Sequence, residues 1–491
     1  MDLRHIDRTK SYWLMSVSSK KTVSGILWSA VDRFGNVLLQ FIVNLVLARL
    51  LTPEDYGCVG MLAIFIAVSQ TLIDGGFCSA LIQKQDVTSK DYSTIFYWNI
   101  AFSGILYALL YLIAPTISVF FHTPILSDVL RALGLVLIVS SLGLVQRVQL
   151  RKQLKIKQLA LVNMVSLILA SIVSIRMAFM GYGVWALVAL QVMNNLIASV
   201  VFWFVTKWKP MFYFSIKKLK RLFSFGGYLL AASILQEFSK NIQGVIIGHK
   251  FSALEMGLYS QAKKLEEVSC STFAQVIVQV MFPVYSELQN DIARLREMLK
   301  NNISLIAFAI FPIMVVLIII AGDLIPFLLG DKWLPVVPYF QVLCLGGFFT
   351  CLQNVNFYAV AAIGKSDTLF RWSFYKWGML LAMLLVGMYW GIYGVLVSMV
   401  LSEFNIYMVN ALLVKKYLKM PLRVQLVACL PAFAVSLLAG VILVVTNYYL
   451  PLNFAINLIF FYIIYLSSAY LCNFAELKDL QRLLKGVLNK L

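Results

Sequence analysis

Asp32 and Arg33 stand in the middle of GILWSAVDRFGNVLLQFIVNLVLARLLTPEDYG (25–57), a stretch otherwise apolar enough to cross a bilayer. On a helix, residues three or four apart share a face, and Ser29, Arg33, Asn36, Gln40 and Asn44 step by 4, 3, 4 and 4. One face of this first span is polar from end to end and carries a cation. About two hundred residues on, Ser233, Gln236, Lys240 and Gln243 form a second stripe, with Gln236 falling on Asn36 and Lys240 on Gln40. Gln70 and Asp74 are four apart in the second span, and Ser260, Lys264, Glu267, Ser271 and Gln275 line an eighth. A charge facing lipid costs at least a few kcal/mol, so these side chains are expected to face water or one another.

Cations in a water-poor cleft form charge-assisted bonds to a phosphate or diphosphate. Arg33, Lys240 and Lys264 are the candidate anion ligands, and Asn36, Gln40 and Gln236 supply hydrogen bonds suited to a hydroxyl-rich cargo. Asp32, Asp74, Glu237 and Glu267 are candidates to hold a coupling proton or sodium ion. A structural account competes residue by residue: Asp32 and Arg33 neutralise nearby charges, Glu237 pairs with Lys240, and Lys263 and Lys264 pair with Glu266 and Glu267. Arg131, Arg371, Lys376 and Glu403 are more isolated and read as helix-end snorkelling or local pairs. The seven cysteines, Cys58, Cys78, Cys270, Cys344, Cys351, Cys429 and Cys472, lie mostly inside spans without a C-x-x-C, so core packing is expected rather than a disulfide or metal framework. The three histidines, His5, His122 and His249, are far apart in the topology, and neither a metal site nor a resident cofactor is expected.

The elements that must position these residues follow from composition. Of 491 residues, 61% are hydrophobic and 13% charged, too little polar surface to clothe a soluble globule. The expected class is an all-α integral membrane protein. Fourteen stretches are long enough to span as helices: 22–48, 56–82, 93–120, 125–146, 158–180, 183–206, 225–248, 256–283, 302–322, 335–361, 369–389, 392–413, 424–446 and 453–473. The net charge of +19 invites a nucleic-acid reading. On the span map, however, 31 basic residues fall on one side and four on the other, which predicts both termini in the cytoplasm and excludes a nucleic-acid partner as the reason for the charge. The first 21 residues are polar and Lys-rich, so no cleavable signal peptide is expected ahead of the first span.

Shifted by 200 residues, LARLLTPEDYG (47–57) falls on IGHKFSALEMG (247–257), matching Thr52 with Ser252, Asp55 with Glu255 and Gly57 with Gly257. GYGVWALV (181–188) resembles GIYGVLVS (391–398) near an offset of 210. Six spans per repeat return the chain in the same orientation, so two parallel-repeat six-helix bundles around a cleft are expected. The corresponding map is a cytoplasmic segment 1–21, a bundle 22–206, a linker 207–224, a bundle 225–414, two additional helices in 424–473 and a tail 474–491. The amphipathic segment 284–301, with Leu288, Ile292, Leu295 and Leu299 on one side, is expected to lie along the membrane surface.

LARLLTPEDYGCVG (47–60), LIDGGFCSALIQKQD (72–86), APTISVFFHTP (114–124), GYGVWALV (181–188) and FPVYSELQND (282–291) resemble the Wzx-type polysaccharide flippases of the multidrug/oligosaccharidyl-lipid/polysaccharide (MOP) exporter superfamily. The resemblance implies a MATE-like pair of bundles in the bacterial cytoplasmic (inner) membrane. It also implies inversion of an undecaprenyl-diphosphate-linked oligosaccharide by ion-coupled alternating access, with H+ or Na+ as coupling ion. Polysaccharide polymerase and chain-length proteins are the implied partners, and Arg33 matches in depth the first-span arginines of the superfamily. Ala253 departs from the pattern, standing where the first half has Pro53. A related drug or peptidoglycan-precursor exporter is the alternative within transporters. A membrane glycosyltransferase or polymerase is the alternative outside them, but the chain lacks a D-x-D motif, and AAIGKS (361–366) has Ala359 where a phosphate loop needs glycine.

Overall fold

The structure is a computed structural model that describes residues 20–84, 86–270, 281–450, 453–474 and 476–477, with side chains described from Phe34 onward except at 79, 221, 224–226, 228 and 229. Every regular element among the described residues is helical, as a bilayer demands, because a backbone in hydrocarbon must satisfy its own hydrogen bonds. Ten helical runs are long and apolar enough to span, and the first helix adds a shorter apolar piece, Phe34–Leu50. One of the ten, Ser366–Leu418, doubles back at Gly391 (φ +76), where the sequence places a turn. Leu112, Val119, Phe204 and Ile459 are more than 60% exposed, an outward apolar surface that a soluble monomer would not carry.

The chain divides into two compact units, 1–257 and 258–491. The first contains α1 (Lys20–Leu50), α2 (Pro53–Asp74), the short α3 (Phe77–Gln83), α4 (Ser89–Phe120), α5 (Leu126–Lys152), α6 (Ile156–Phe179), α7 (Val184–Thr206) and α8 (Ile216–Lys250). α1 packs on α6, α2 on α8, and α5 on both α4 and α7. At one end, Phe77 and Leu81 of α3, Ile95 and Phe96 of α4, Val145 and Val148 of α5, and Leu219 and Leu222 of α8 close a common core.

The LTPEDYG turn is a helix start in physical terms. Thr52 caps α2, accepting from the Asp55 N–H while the Asp55 carboxylate accepts from the Thr52 N–H at 2.9 Å; Pro53 occupies the first turn. Such a reciprocal cap satisfies two otherwise orphaned donors and is worth about 1 kcal/mol. Ser252 repeats the cap two hundred residues on, its Oγ accepting from the Glu255 N–H at 3.2 Å. Gly183 (φ +54) of the GYG turn sits so close that a Cβ would be 2.9 Å from Asp55 Oδ1. Two of the segments that carry the family resemblance are therefore packed against each other.

The second unit holds most of α9 (Ala253–Ser269), then α10 (Ile292–Leu329), α11 (Val336–Ala362), α12 (Ser366–Gly387), α13 (Gly391–Leu418), α14 (Leu422–Tyr449) and α15 (Phe454–Leu471). α10 packs on α11 and α14, α13 on α11 and α12, and α15 on α14. One expectation is corrected here and another refined. Most of the amphipathic segment 284–301 is no separate surface strap: from Ile292 it is the first part of α10, a single helix of 38 residues, and Leu295 and Leu299 are fully buried. Its apolar face meets protein, which periodicity alone cannot distinguish from lipid. The expectation for the cysteines is refined at one pair: Cys270 and Cys351, 81 residues apart, meet sulfur to sulfur inside the unit. Cys58, Cys344 and Cys429 are buried and free.

Candidate functional site

Asp32 and Arg33 fall on α1, but their side chains lie outside the described residues, as do Ser29, Ser271 and Gln275. Further along α1, Asn36 is half-buried, Gln40 exposed and Asn44 buried. On α8, Ser233, Gln236 and Lys240 are exposed and Gln243 is half-buried, so the open polar face of the helix runs from Ser233 to Lys240. Lys240 has Glu237 one turn away at 3.4 Å, with the ammonium side chain 59% exposed. An exposed pair of this kind contributes well under about 1 kcal/mol and leaves the cation available. Asp74 ends α2, exposed, and accepts from the Cys78 thiol at 2.8 Å.

In the second unit, α9 carries two adjacent lysines and two adjacent glutamates, and packing separates their roles. Lys264 and Glu267 are exposed. Lys263 and Glu266 point the other way and form a 2.9 Å ion pair, with the Glu266 side chain 3% exposed. Glu266 rests against α11 where that helix has no side chain: a Cβ on Gly347 would be 3.5 Å from Glu266 Oε1. One residue earlier, a Cβ on Gly346 would be 3.8 Å from Cγ of Glu403, which arrives from α13. Gln353 of α11 donates to the Glu403 carboxylate, and Lys263 lies within electrostatic reach of it. Three helices thus converge on a Lys–Glu–Glu group at a glycine pair.

The polar seam continues along the same helices. Lys376 of α12 donates to Asn410 Oδ1 of α13, whose amide in turn donates to the Gln353 carbonyl at 3.2 Å. Asn356 of α11 donates to Gln425 of α14 at 2.8 Å. Lys376 and Glu403 therefore make local pairs rather than snorkelling. The signal for the seam was present in sequence, since Glu403, Tyr407 and Asn410 step by 4 and 3 along α13.

The first unit holds one more charged group, unselected from sequence. Asp91, fully buried in the first turn of α4, bonds Lys84 at 2.7 Å and Lys218 at 2.9 Å. Thr88 caps the same helix with its N–H and hydroxyl on Asp91 Oδ2, each at 2.9 Å. The arrangement ties α8 and the segment after α3 to α4, and is a clamp in which both cations are already matched.

Residues 46–338 match the family described as "Polysaccharide biosynthesis protein". The chain is 26% identical over 356 residues to the teichuronic acid biosynthesis protein TuaB of Bacillus subtilis, covering 72% of this chain and 74% of that protein. It is 21% identical over 370 residues to the lipopolysaccharide biosynthesis protein WzxC of Escherichia coli, covering 75% of each. Among solved structures, an inward closed conformation of the lipid II flippase MurJ superposes with a TM-score of 0.72 at 16% identity, over 91% of this chain and 98% of that one. An inward-facing multidrug MATE transporter of the MOP superfamily gives 0.61 at 15% identity, over 80% and 98%. These likenesses give the fold, an all-α multi-pass transporter fold. With the family match spanning more than half the sequence, the chain belongs to the polysaccharide biosynthesis protein family.

Proposed function

We propose that this chain is a flippase that inverts an undecaprenyl-diphosphate-linked oligosaccharide repeat unit across the bacterial cytoplasmic membrane, for a surface polysaccharide such as O-antigen, capsule or exopolysaccharide. The observation that carries the reading is the open polar face of α8, with an available cation at Lys240 in a transporter fold. Relatives named for teichuronic acid and lipopolysaccharide biosynthesis support the cargo class, as does the succinoglycan biosynthesis transport protein ExoT of Rhizobium meliloti, 22% identical over 359 residues. Arg33, Lys240 and Lys264 are each proposed as a ligand of the diphosphate. Asn36, Gln40 and Gln236 bond the sugar hydroxyls, and the polyprenyl tail stays in lipid. A single ion pair at 4 Å is worth about 4 kcal/mol at an effective dielectric constant of ~20, ample to hold an anion reversibly.

Coupling to H+ or Na+ is assigned here to a carboxylate. Asp74, Glu237 and Glu267 are exposed or half-exposed, and Asp32 belongs to the same candidate set. Glu266 and Glu403 have the stronger claim on geometry, because they are enclosed by three helices around one lysine. A proton arriving on either carboxylate redistributes Lys263 toward the other, which is a two-state element of the kind alternating access requires. The basic-residue asymmetry supports both termini in the cytoplasm, where polymerase and chain-length proteins of the same assembly process are the proposed partners.

The test is flipping of a fluorescently labelled undecaprenyl-diphosphate oligosaccharide in proteoliposomes, wild type beside Arg33→Ala and Lys240→Ala. Protein-dependent flipping that both variants lose supports the reading. Folded wild type that flips no lipid-linked sugar but extrudes a cationic dye would replace it with a drug exporter.

A further inference from the structure

We infer that the groove at the end of α7 binds the headgroup of an anionic phospholipid. α7 is a lipid-facing span that ends at Thr206, and Lys207 follows with φ +52, turning the chain back. The returning segment is fixed rather than loose. Trp208 Nε1 donates to Ser89 Oγ at 3.3 Å, its ring packs edge-on against Tyr92 and Phe96, and the Met211 N–H donates to Ser93 Oγ at 2.9 Å. Between this segment and the last turn of α7 a cleft of about 590 Å³ remains, lined by Trp203, Phe204, Lys207, Trp208, Lys209 and Pro210.

The chemistry of that lining selects its occupant. Lys207 and Lys209 are exposed, and neither has a carboxylate partner among the described residues. In this they differ from Lys84 and Lys218, both spent on Asp91. The carbonyl end of α7 opposes an anion with roughly half a charge, whereas the two ammoniums supply two full charges, so the cations win. Phe204 is 76% exposed on the last turn of an apolar span, which puts one wall of the cleft at the hydrocarbon boundary. Trp203 of α7 and Trp208 of the returning segment also line the cleft, as in the aromatic belts of membrane proteins. Phe212, fully exposed, and Phe214, half exposed, continue the apolar surface beyond the lysines. A ligand that satisfies cations, indole rings and an open hydrocarbon wall together carries a phosphate and acyl chains in one molecule. A soluble anion would leave Phe204 unused.

The experiment uses the full-length protein, delipidated in detergent and titrated with phosphatidylglycerol while bound lipids are counted by native mass spectrometry. Phosphatidylcholine with the same chains is the control. Wild type is expected to retain phosphatidylglycerol in preference to phosphatidylcholine, and Lys207→Gln/Lys209→Gln to weaken that binding roughly thirtyfold with an unchanged melting temperature. Should the double variant fold poorly, Lys209→Gln alone is expected to weaken binding about fivefold. Phe204→Ser is expected to weaken the lipid as well. Equal binding of the two lipids by wild type, undiminished phosphatidylglycerol binding by the lysine variants, or full displacement by millimolar inorganic phosphate would each overturn the assignment, the last by revealing a free-anion site.

Discussion

Gly57 and Gly257 make the same contact in both directions: a Cβ on Gly57 would lie 1.8 Å from the carbonyl oxygen of Ala253, and one on Gly257 would lie 1.8 Å from the carbonyl oxygen of Pro53. Both residues fall in the first unit. Each is five residues after its capping residue, Thr52 or Ser252, so the sequence repeat at an offset of 200 is also a packing motif in which one helix start rests on the other. Nearby, Gly244 and Gly248 of α8 bring that helix onto α2 at Gly60 and Met61, the close small-residue packing that replaces hydrophobic attraction between helices in lipid.

Gly57→Ala and Gly257→Ala are each expected to cut the yield of monodisperse protein severely, because backbone atoms cannot yield as a flexible side chain can. Gly104→Ala, on α4 with nothing within 4 Å of the added atom, is the matched control. It is expected to leave the melting temperature unchanged or slightly raised, since alanine is the better helix former. Equal behaviour of the three variants in size-exclusion chromatography and thermal melts would refute the crossing.

Lys240→Gln and Lys264→Gln are expected to reduce flipping at least tenfold while expression and melting temperature stay within error. Both side chains are exposed, and for Lys240 the neighbouring Glu237 is at 3.4 Å, so little folding energy rests on it. A lowered melting temperature with normal flipping per folded molecule would instead assign them to structure.

Lys263→Met is expected to destabilise the protein by about 3–5 kcal/mol, because it strands the buried Glu266 carboxylate. Lys263→Met/Glu266→Met should recover most of that loss, as apolar replacements of a buried pair often do. Recovery of the fold without recovery of ion-driven flipping is the outcome that separates a coupling group from a structural pair. Glu403→Gln supplies the companion measurement: it keeps a hydrogen-bonding amide opposite Gln353 and is expected to abolish the response of flipping to an imposed pH or sodium gradient.

Asp91→Asn is expected to cost roughly 2 kcal/mol in a denaturant or thermal melt, since hydrogen bonds to charged groups are worth about 1.5–3 kcal/mol each and the freed lysines, about 30% exposed, regain water. Thr52→Ala is expected to cost about 1 kcal/mol and Thr52→Ser close to nothing. If Thr52→Ser proves as damaging as the alanine, the hydroxyl cap is not what the LTPEDYG turn contributes.

Hydropathy, helix starts and tight turns were legible in the chain because each is a local sum or a local hydrogen bond. Length and apolarity of the stretches fixed the class, Thr52 with Asp55 marked a helix start, and Gly391 marked a reversal. The stripe on α8 was legible for the same reason, as helical periodicity places Ser233, Gln236 and Lys240 on one face whatever surrounds it. What covers a face is not local. Lys263 and Lys264 are neighbours with the same options, each three residues from a glutamate, and nothing in sequence chooses between them. The packing of α9 against the glycine pair of α11 chose, burying Glu266 with the half-buried Lys263 as its partner and leaving Lys264 and Glu267 exposed. Likewise the apolar side of 292–301 could have met lipid or protein, and the approach of the other helices of its unit decided it. The sequence determined the all-helical membrane class and the direction each side chain leaves its helix. Only the tertiary structure determined which directions are closed, because closure belongs to the neighbouring helix.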